Sequence, residues 1–169
     1  MRLPKEHFSP ISAHISPQDK RIEVNITNQS LECYEVDHRV FATRVASGRG
    51  YINDKGEQFG FQTPSGNHWI QHKRPSRHMV GGDPESVTNR YDIPGVPWCT
   101  YFTSTGAAIH GAFWHNNFGV PQSHGCLNVT NDAAQWIYRW VNPWTGEAPD
   151  NEWTGDEDQG IATSVIITE

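Results

Sequence analysis

The sequence lacks long apolar segments and clusters of basic residues. None of its apolar runs approaches the roughly 20 residues of a membrane-spanning helix, and residues 1–16 lack the apolar core and cleavage site of a signal peptide. The 13 Lys and Arg residues are scattered among 19 Asp and Glu residues, which gives a formal net charge of −6. Nucleic acid is therefore not an expected partner, because phosphate recognition needs concentrated positive charge. The chain is expected to be soluble and to contain no membrane segment.

Cysteine is scarce and unpaired. The three cysteines, Cys33, Cys99 and Cys126, form no C-x-x-C pair, so neither a disulfide framework nor a zinc ribbon is indicated. Cys33 lies in an alternating stretch typical of a strand, where a thiol usually serves as a small buried hydrophobic group. Cys126 lies among His and Gly residues, and it is the thiol that needs a chemical explanation.

Gly, Pro and aromatic residues are plentiful. The 15 Gly, 11 Pro and 11% aromatic residues, with a mean hydropathy of −0.66, are typical of short strands joined by turns rather than of a helical bundle. A length of 169 residues suits one domain. The seven Trp residues have two interpretations, which are core packing and flat platforms in a binding cleft.

Alternating polar and apolar residues predict a series of short strands. Residues 21–26 and 31–36 flank the turn residues 28–30 and are predicted to form a β-hairpin. Residues 38–47 continue the alternation up to a Gly-rich break. Further strands are predicted at residues 58–63, 67–71, 99–103, 107–110 and 162–168.

One helix and two long loops complete the predicted organisation. Thr130 or Asn131 is a candidate N-cap, and apolar residues at helical spacing predict a buried stripe that ends at 142–143. Residues 73–98 are rich in Gly, Pro, Arg, Asp and Asn, which predicts a long loop that serves as a lid or wall over a cleft. Residues 145–159 are acidic and are predicted to be a solvated surface loop.

Three His residues and a thiol are concentrated in residues 110–126, with Gly residues between them. They are His110, His115, His124 and Cys126. A thiol with the ordinary pKa of about 8.5 is mostly protonated at neutral pH, so a nucleophilic cysteine needs a nearby His or a local field that lowers its pKa. His110, at the end of a predicted strand, is the candidate base. Gly125 lets backbone N–H groups approach a reacting carbonyl, as an oxyanion hole requires.

Two other interpretations of this cluster remain open. His and Cys side chains are good zinc ligands, but their spacing matches neither C-x-x-C nor H-E-x-x-H, so no metal is expected. Alternatively, the His residues are structural and hydrogen-bonded within a crowded loop. That second interpretation is favoured for His115 more than for His110 and His124.

These residues support a named resemblance. Residues 123–128, Ser-His-Gly-Cys-Leu-Asn, preceded by Ile-His-Gly at 109–111, resemble the signature of the L,D-transpeptidase (YkuD-like) catalytic domain. The resemblance covers roughly residues 20–142, with 161–168 as a candidate closing strand, and leaves out 1–19 and 145–159. Supporting matches are the hairpin at 22–36, the Thr-Pro-x-Gly turn at 63–66, Met79, Tyr91-Asp92, the Trp-His-Asn-Asn-Phe-Gly stretch at 114–119, and Asp132-Ala133.

The resemblance implies a fold and a set of site residues. The fold is mainly β, a sandwich or barrel of mixed strands with one principal helix after the nucleophile and a long lid loop. Residues 1–19 would be an N-terminal extension of the catalytic domain at 20–169. Cys126 resembles the nucleophile, and His110 resembles its base, oriented by the carbonyl of Gly111. The implied supporting residues are Ser123, His124 and Gly125, with backbone N–H groups at Gly125 and Cys126 as the oxyanion hole; the implied substrate contacts are Tyr91, Met79, Trp114 and Asn128.

The resemblance also implies a reaction and partners. Cys126 would form a thioester with a peptidoglycan stem peptide, and an amine of a second stem would resolve it, without a metal or organic cofactor. This chemistry belongs to cell-wall biogenesis and cell shape, in an extracytoplasmic location, with any export signal or anchor absent from this chain. Carbapenem-type inhibitors are implied ligands, and a monomer is expected. Two alternatives remain open: a peptidase or L,D-carboxypeptidase that uses water as acceptor, and an inactive wall-binding module.

Overall fold

A computed structural model describes residues 5–52, 55–56, 58–82, 90–142 and 162–169 of the chain. The described part consists mainly of short strands, with one α-helix, α1 (Asn131–Trp140), and two 3-10 turns (Lys5–Phe8 and Pro17–Asp19). None of the helices in these ranges is long and apolar enough to cross a membrane. The strands are β1 Lys20–Asn25, β2 Ser30–Glu35, β3 His38–Arg44, β4 Gly50–Ile52, β5 Gln58–Gly60, β6 Gly66–Trp69, β7 His72–Gly82, β8 Arg90–Tyr101, β9 Ala108–Gly111, β10 Leu127–Val129 and β11 Ser164–Thr168.

The first sheet contains five strands in the order β3-β2-β1-β11-β6. Strands β1 and β2 pair antiparallel and form the predicted hairpin, which is confirmed. Strand β11 joins β1 in parallel and β6 in antiparallel orientation. Alternate side chains of β1 are buried because one face of this sheet covers the core, where Ile22 and Val24 are at most 1% exposed.

The second sheet contains four strands in the order β10-β9-β8-β7. Strands β9 and β10 are parallel, whereas β8 is antiparallel to both of its neighbours. Two mixed sheets with one principal helix after the candidate nucleophile confirm the predicted mainly β fold. Strands β4 and β5 form a separate two-stranded pair.

The predicted helix is confirmed, and its caps explain its bounds. Thr130 has extended backbone, and its hydroxyl accepts a hydrogen bond from the N–H of Ala133 at 3.2 Å, as an N-cap does. The apolar stripe of α1 packs toward β8 and β9, and Ile137 and Trp140 are at most 1% exposed. The helix therefore covers one face of the second sheet and leaves the opposite face for a site.

The predicted lid loop at residues 73–98 is wrong in its secondary structure. Strands β7 and β8 pair antiparallel through most of this range, with a register shift between Arg77 and Met79. Much of both strands is exposed or only half-buried, so their side chains do not alternate between apolar and polar as they would over a core. Residues 83–89 of this predicted loop and the predicted surface loop at 145–159 lie outside the described residues.

Both interpretations of the Trp residues apply, each to different side chains. Trp98 and Trp140 are 8% and 1% exposed and belong to the core. Trp114 is 38% exposed and lines a cavity on the second sheet. Some Trp residues thus pack in the core and another lines the cavity, a difference that composition alone does not predict.

Candidate active site

The register of the second sheet brings Cys126 and His110 onto one face. His110 in β9 pairs with Asn128 in β10, and Cys126 directly precedes β10. Because side chains alternate along a strand, residues two apart point the same way, so Cys126 and Asn128 share a face with His110. The two side chains therefore lie on the same side of the second sheet, in adjacent parts of the chain.

Both side chains line a cavity of about 420 Å³ between the β7–β8 hairpin and the loop before β10. All four predicted substrate contacts lie in its wall, and so do Ser123 and His124. Of the hairpin residues in this wall, Met79 and Tyr91 were among the implied substrate contacts, whereas Arg90, Asp92 and Ile93 were not. The lining residues are Met79, Arg90, Tyr91, Asp92, Ile93, His110, Trp114, Gln122, Ser123, His124, Cys126 and Asn128.

The tautomer of His110 follows from its hydrogen bond. Nδ1 lies 2.9 Å from the carbonyl oxygen of Gly111, and a carbonyl only accepts, so Nδ1 carries the proton. In a neutral imidazole Nε2 is then a bare acceptor. Burial lowers the pKa of His110 to about 4, against the opposing effect of the Gly111 hydrogen bond. The ring is therefore neutral at pH 7 and is able to accept a proton.

The thiol of Cys126 is also neutral in the free protein. It is partly exposed and packs against a small buried cluster of Val96, Cys99, Tyr101 and Ala108. Burial raises its pKa to about 11, although a hydrogen bond with the backbone of Ala108 acts in the opposite direction. The expectation that the surroundings lower the pKa of this thiol is wrong for the free protein, because desolvation disfavours the thiolate.

The loop before β10 is held in place by its own hydrogen bonds. The Ser123 hydroxyl donates to the carbonyl of Cys126 and accepts from the N–H of Gly125 at 3.2 Å. Gly125 has φ +112°, a backbone conformation that other residues rarely adopt. The ring of His124 lies between those of Phe61 and Tyr91, with centroids 4.8 and 4.9 Å away. These contacts hold Ser123 and His124 in the loop that precedes the thiol.

The segment after β3 also holds this loop in place. Gly48 forms a β-bridge with Ser123, and the N–H of Arg49 donates to the carbonyl of Ser123 at 3.0 Å. A Cβ at Gly48 would lie 1.9 Å from the carbonyl oxygen of Phe61, so only glycine fits there. The segment after β3 thereby connects the first sheet to the candidate site.

His115 contacts the candidate site through Asn128. Its Nε2 lies 2.9 Å from the side-chain amide of Asn128, and its Nδ1 accepts from the N–H of Asn117 at 3.2 Å. The interpretation of His115 as a structural residue stays a prediction. Within the described ranges, no three His, Cys, Asp or Glu side chains are arranged to hold a metal ion.

Comparison with known proteins gives the relatives of this chain. A family model described as the L,D-transpeptidase catalytic domain, YkuD, matches residues 19–167. A 66-residue segment is 38% identical to L,D-transpeptidase 2 of Mycobacterium tuberculosis (strain CDC 1551 / Oshkosh), which is 36% of this chain and 15% of that protein.

Solved structures share the fold at low sequence identity. An L,D-transpeptidase from Mycobacterium smegmatis superimposes with a TM-score of 0.66 at 20% identity, covering 89% of this chain and 59% of that one. The L,D-transpeptidase LdtMt1 in complex with imipenem superimposes with a TM-score of 0.64 at 16% identity, covering 89% and 59%. The chain thus spans less than two thirds of the length of the proteins that it resembles.

Proposed function

Because this chain belongs to the L,D-transpeptidase catalytic domain family, we propose that it is an acyltransferase in which Cys126 attacks a carbonyl of a peptidoglycan stem peptide. The observation that carries the proposal is the 2.9 Å hydrogen bond from Nδ1 of His110 to the Gly111 carbonyl. This hydrogen bond leaves Nε2 of His110 as a bare acceptor. His110 and Cys126 lie on the same face of the second sheet and line the same cavity.

The first half of the reaction forms a thioester. The Cys126 sulfur attacks the carbonyl carbon between the third and fourth residues of the stem while its proton passes to Nε2 of His110. The imidazolium then returns this proton to the departing amino group of the fourth residue, and the C–N bond breaks. Since both groups are neutral beforehand, proton transfer accompanies the attack instead of preceding it.

The second half transfers the acyl group. An amine of a second stem attacks the thioester carbonyl, and Nε2 of His110 takes a proton from that amine. The C–S bond breaks as the proton reaches the sulfur, which restores the neutral thiol. The product is an amide cross-link between two stems, made in an extracytoplasmic compartment where such stems occur.

Backbone donors and cavity walls complete the site. The N–H of Gly125 already donates to the Ser123 hydroxyl, so we assign the developing oxyanion to the N–H of Cys126. Met79, Tyr91 and Trp114 supply apolar surface for the stem, and Asn128 supplies an amide. Burial of the site strengthens the interactions of the oxyanion, because the local dielectric is lower than that of water.

Acylation by imipenem tests the nucleophile. The strained carbonyl of this β-lactam should react with Cys126 as a stem carbonyl does. Imipenem is chosen because LdtMt1 has been solved in complex with it. Intact-mass spectrometry should show one added imipenem on wild-type protein, and peptide mapping should place it on Cys126.

Matched variants make this test specific. Cys126→Ala should gain no mass, whereas Cys99→Ala should react like wild type because burial raises the pKa of Cys99 to about 12 and the residue is fully buried. An adduct on Cys126→Ala would refute the assignment of the nucleophile.

A further inference from the structure

The hydrogen bond from the backbone of Asn117 determines which nitrogen of the His115 ring carries the proton. The backbone N–H of Asn117 points at Nδ1 at 3.2 Å, so Nδ1 accepts and carries no proton. A neutral imidazole with a bare Nδ1 carries its proton on Nε2. Burial lowers the pKa of His115, which favours this neutral form. Nε2 is therefore a donor, and the group that faces it must be an acceptor.

The amide of Asn128 is the group that faces Nε2, at 2.9 Å. In the orientation of the structure Nδ2 lies there, which would set an N–H against an N–H. In the same orientation Oδ1 is buried without a hydrogen-bond partner in the described part of the chain. The oxygen and nitrogen of an amide exchange places by a 180° rotation, and the hydrogen-bond network decides between the two orientations. Rotation pairs Oδ1 with Nε2–H and removes the conflict.

The rotated amide presents its NH2 group where the unpartnered oxygen lay. Asn128 is 3% exposed, lines the cavity and pairs with His110 across β9 and β10. A buried NH2 group without an acceptor is unfavourable, and an oxygen atom of a bound ligand would satisfy it. The chemistry suited to this position is a carbonyl or carboxylate oxygen.

We propose that His115 is a positioning residue that, with its proton on Nε2, holds the Asn128 amide so that its NH2 group donates to a carbonyl or carboxylate oxygen of the stem peptide. The inference rests on the proposed function for the identity of the ligand. The contact of the His115 ring with Phe118, at 5.2 Å between centroids, helps to hold the ring in this orientation.

The tautomer is measured without any substrate. Long-range proton–nitrogen correlation spectra of the wild-type protein, with His115 assigned through the His115→Gln variant, should show a protonated Nε2 and a bare Nδ1. A proton on Nδ1 at neutral pH would overturn the inference, since Nε2 would then accept from Asn128 and its oxygen would face the cavity.

Two conservative variants separate positioning from support of the loop. An Asn side chain places its oxygen near the position of Nδ1 and keeps the Asn117 contact, but it does not reach Asn128. A Gln side chain reaches the position of Nε2 and donates to the Asn128 oxygen. His115→Asn should lower kcat/KM for a tetrapeptide stem about tenfold, mainly through KM, and His115→Gln should recover most of this loss.

Further readouts distinguish the outcomes. Asn128→Asp still accepts from His115 but offers the ligand no donor, so it should lose activity at least as strongly as His115→Asn. Alkylation of Cys126 by iodoacetamide, which needs no stem contact, should be unchanged in His115→Asn and His115→Gln. Equal activity of His115→Asn and His115→Gln would refute the positioning role. Wild-type protein that acylates no stem refutes the proposed function, whereas a proton on Nδ1 in active wild-type protein refutes only this inference.

Discussion

At the scale of single residues, burial shifts the pKa values of His110 and Cys126, the two groups of the proposed reaction, in opposite directions. It lowers the pKa of His110 to about 4 and raises that of Cys126 to about 11. An ion pair of imidazolium and thiolate is therefore not the resting state, because both charged forms lose hydration in this cavity. In the proposed reaction, His110 is able to act as a base at any pH well above 4, and the thiol keeps its proton until a carbonyl binds.

A spectroscopic titration tests this neutral resting pair. The thiolate fraction of Cys126 falls about tenfold for each pH unit below its pKa, and that pKa is raised to about 11. The ultraviolet absorbance of the thiolate, taken as wild type minus Cys126→Ala, should be absent at pH 7 and should appear only as the pH approaches that value. A thiolate signal at pH 7 would show a preformed ion pair and contradict this account.

At the scale of elements, the C-terminal end of α1 is capped by two buried ammonium groups. Lys73 donates to the carbonyls of Tyr138 and Val141 at 2.9 and 3.1 Å, and Lys20 donates to that of Trp140 at 2.9 Å. Cations suit the negative end of a helix and satisfy carbonyls that have no partner within it. Lys73 is only 1% exposed, and burial lowers its pKa to about 7.

Lys73 should make the free energy of unfolding depend on pH. Between the folded pKa of about 7 and the ordinary lysine pKa of 10.5, the unfolded chain binds more protons at Lys73, so the contribution of Lys73 to stability rises with pH across this window. The slope from one group is at most about 1.4 kcal/mol per pH unit. Urea unfolding between pH 7 and about 8, where the thiols of the unfolded chain still keep their protons, should show this slope in the stability difference between wild type and Lys73→Met. An equal slope in both proteins would count against the lowered pKa.

Some of these elements could be predicted from the sequence, and others could not. The β1–β2 hairpin and α1 were predictable because each combines apolar periodicity with a turn or a capping residue such as Thr130. Strands β7 and β8 carry no such pattern, since their hairpin is solvated over much of its length and pairing there depends on the backbone. The candidate site was predicted from the Ser-His-Gly-Cys segment, whereas the contact of His115 with Asn128 spans thirteen residues and needs the folded register.

At the scale of the whole molecule, the segment after β3 joins the first sheet to the loop that carries Cys126. Ala46 bridges to Asn128 and Gly48 bridges to Ser123, while Gly48 also lies directly against the backbone of Phe61. The position of Cys126, the proposed nucleophile, therefore depends on packing between distant parts of the chain. The N-terminal residues pack on the other side, where Phe8 contacts Trp98 and Tyr138 beside α1.

A methyl group at Gly48 should disturb this junction. Its Cβ would meet the Phe61 oxygen at 1.9 Å, so Gly48→Ala should lower the free energy of unfolding by about 1–3 kcal/mol or more and reduce acylation of Cys126. Gly60→Ala is the matched control, because a Cβ there meets nothing closer than 3.9 Å. Thermal melts would measure stability, and imipenem labelling would measure acylation of Cys126. Equal stability and equal labelling of the two variants would argue against a link between this junction and the candidate site.

The most direct test of the central claim is the mass of the protein after reaction with a stem. Wild-type protein incubated with a tetrapeptide stem and quenched in acid should carry the tripeptide acyl group on Cys126 and release the fourth residue, and an added amine acceptor should discharge the adduct into a cross-linked product. Cys126→Ala should carry no adduct. A wild-type protein that releases no fourth residue and gains no mass, or an adduct that persists in Cys126→Ala, would contradict the account.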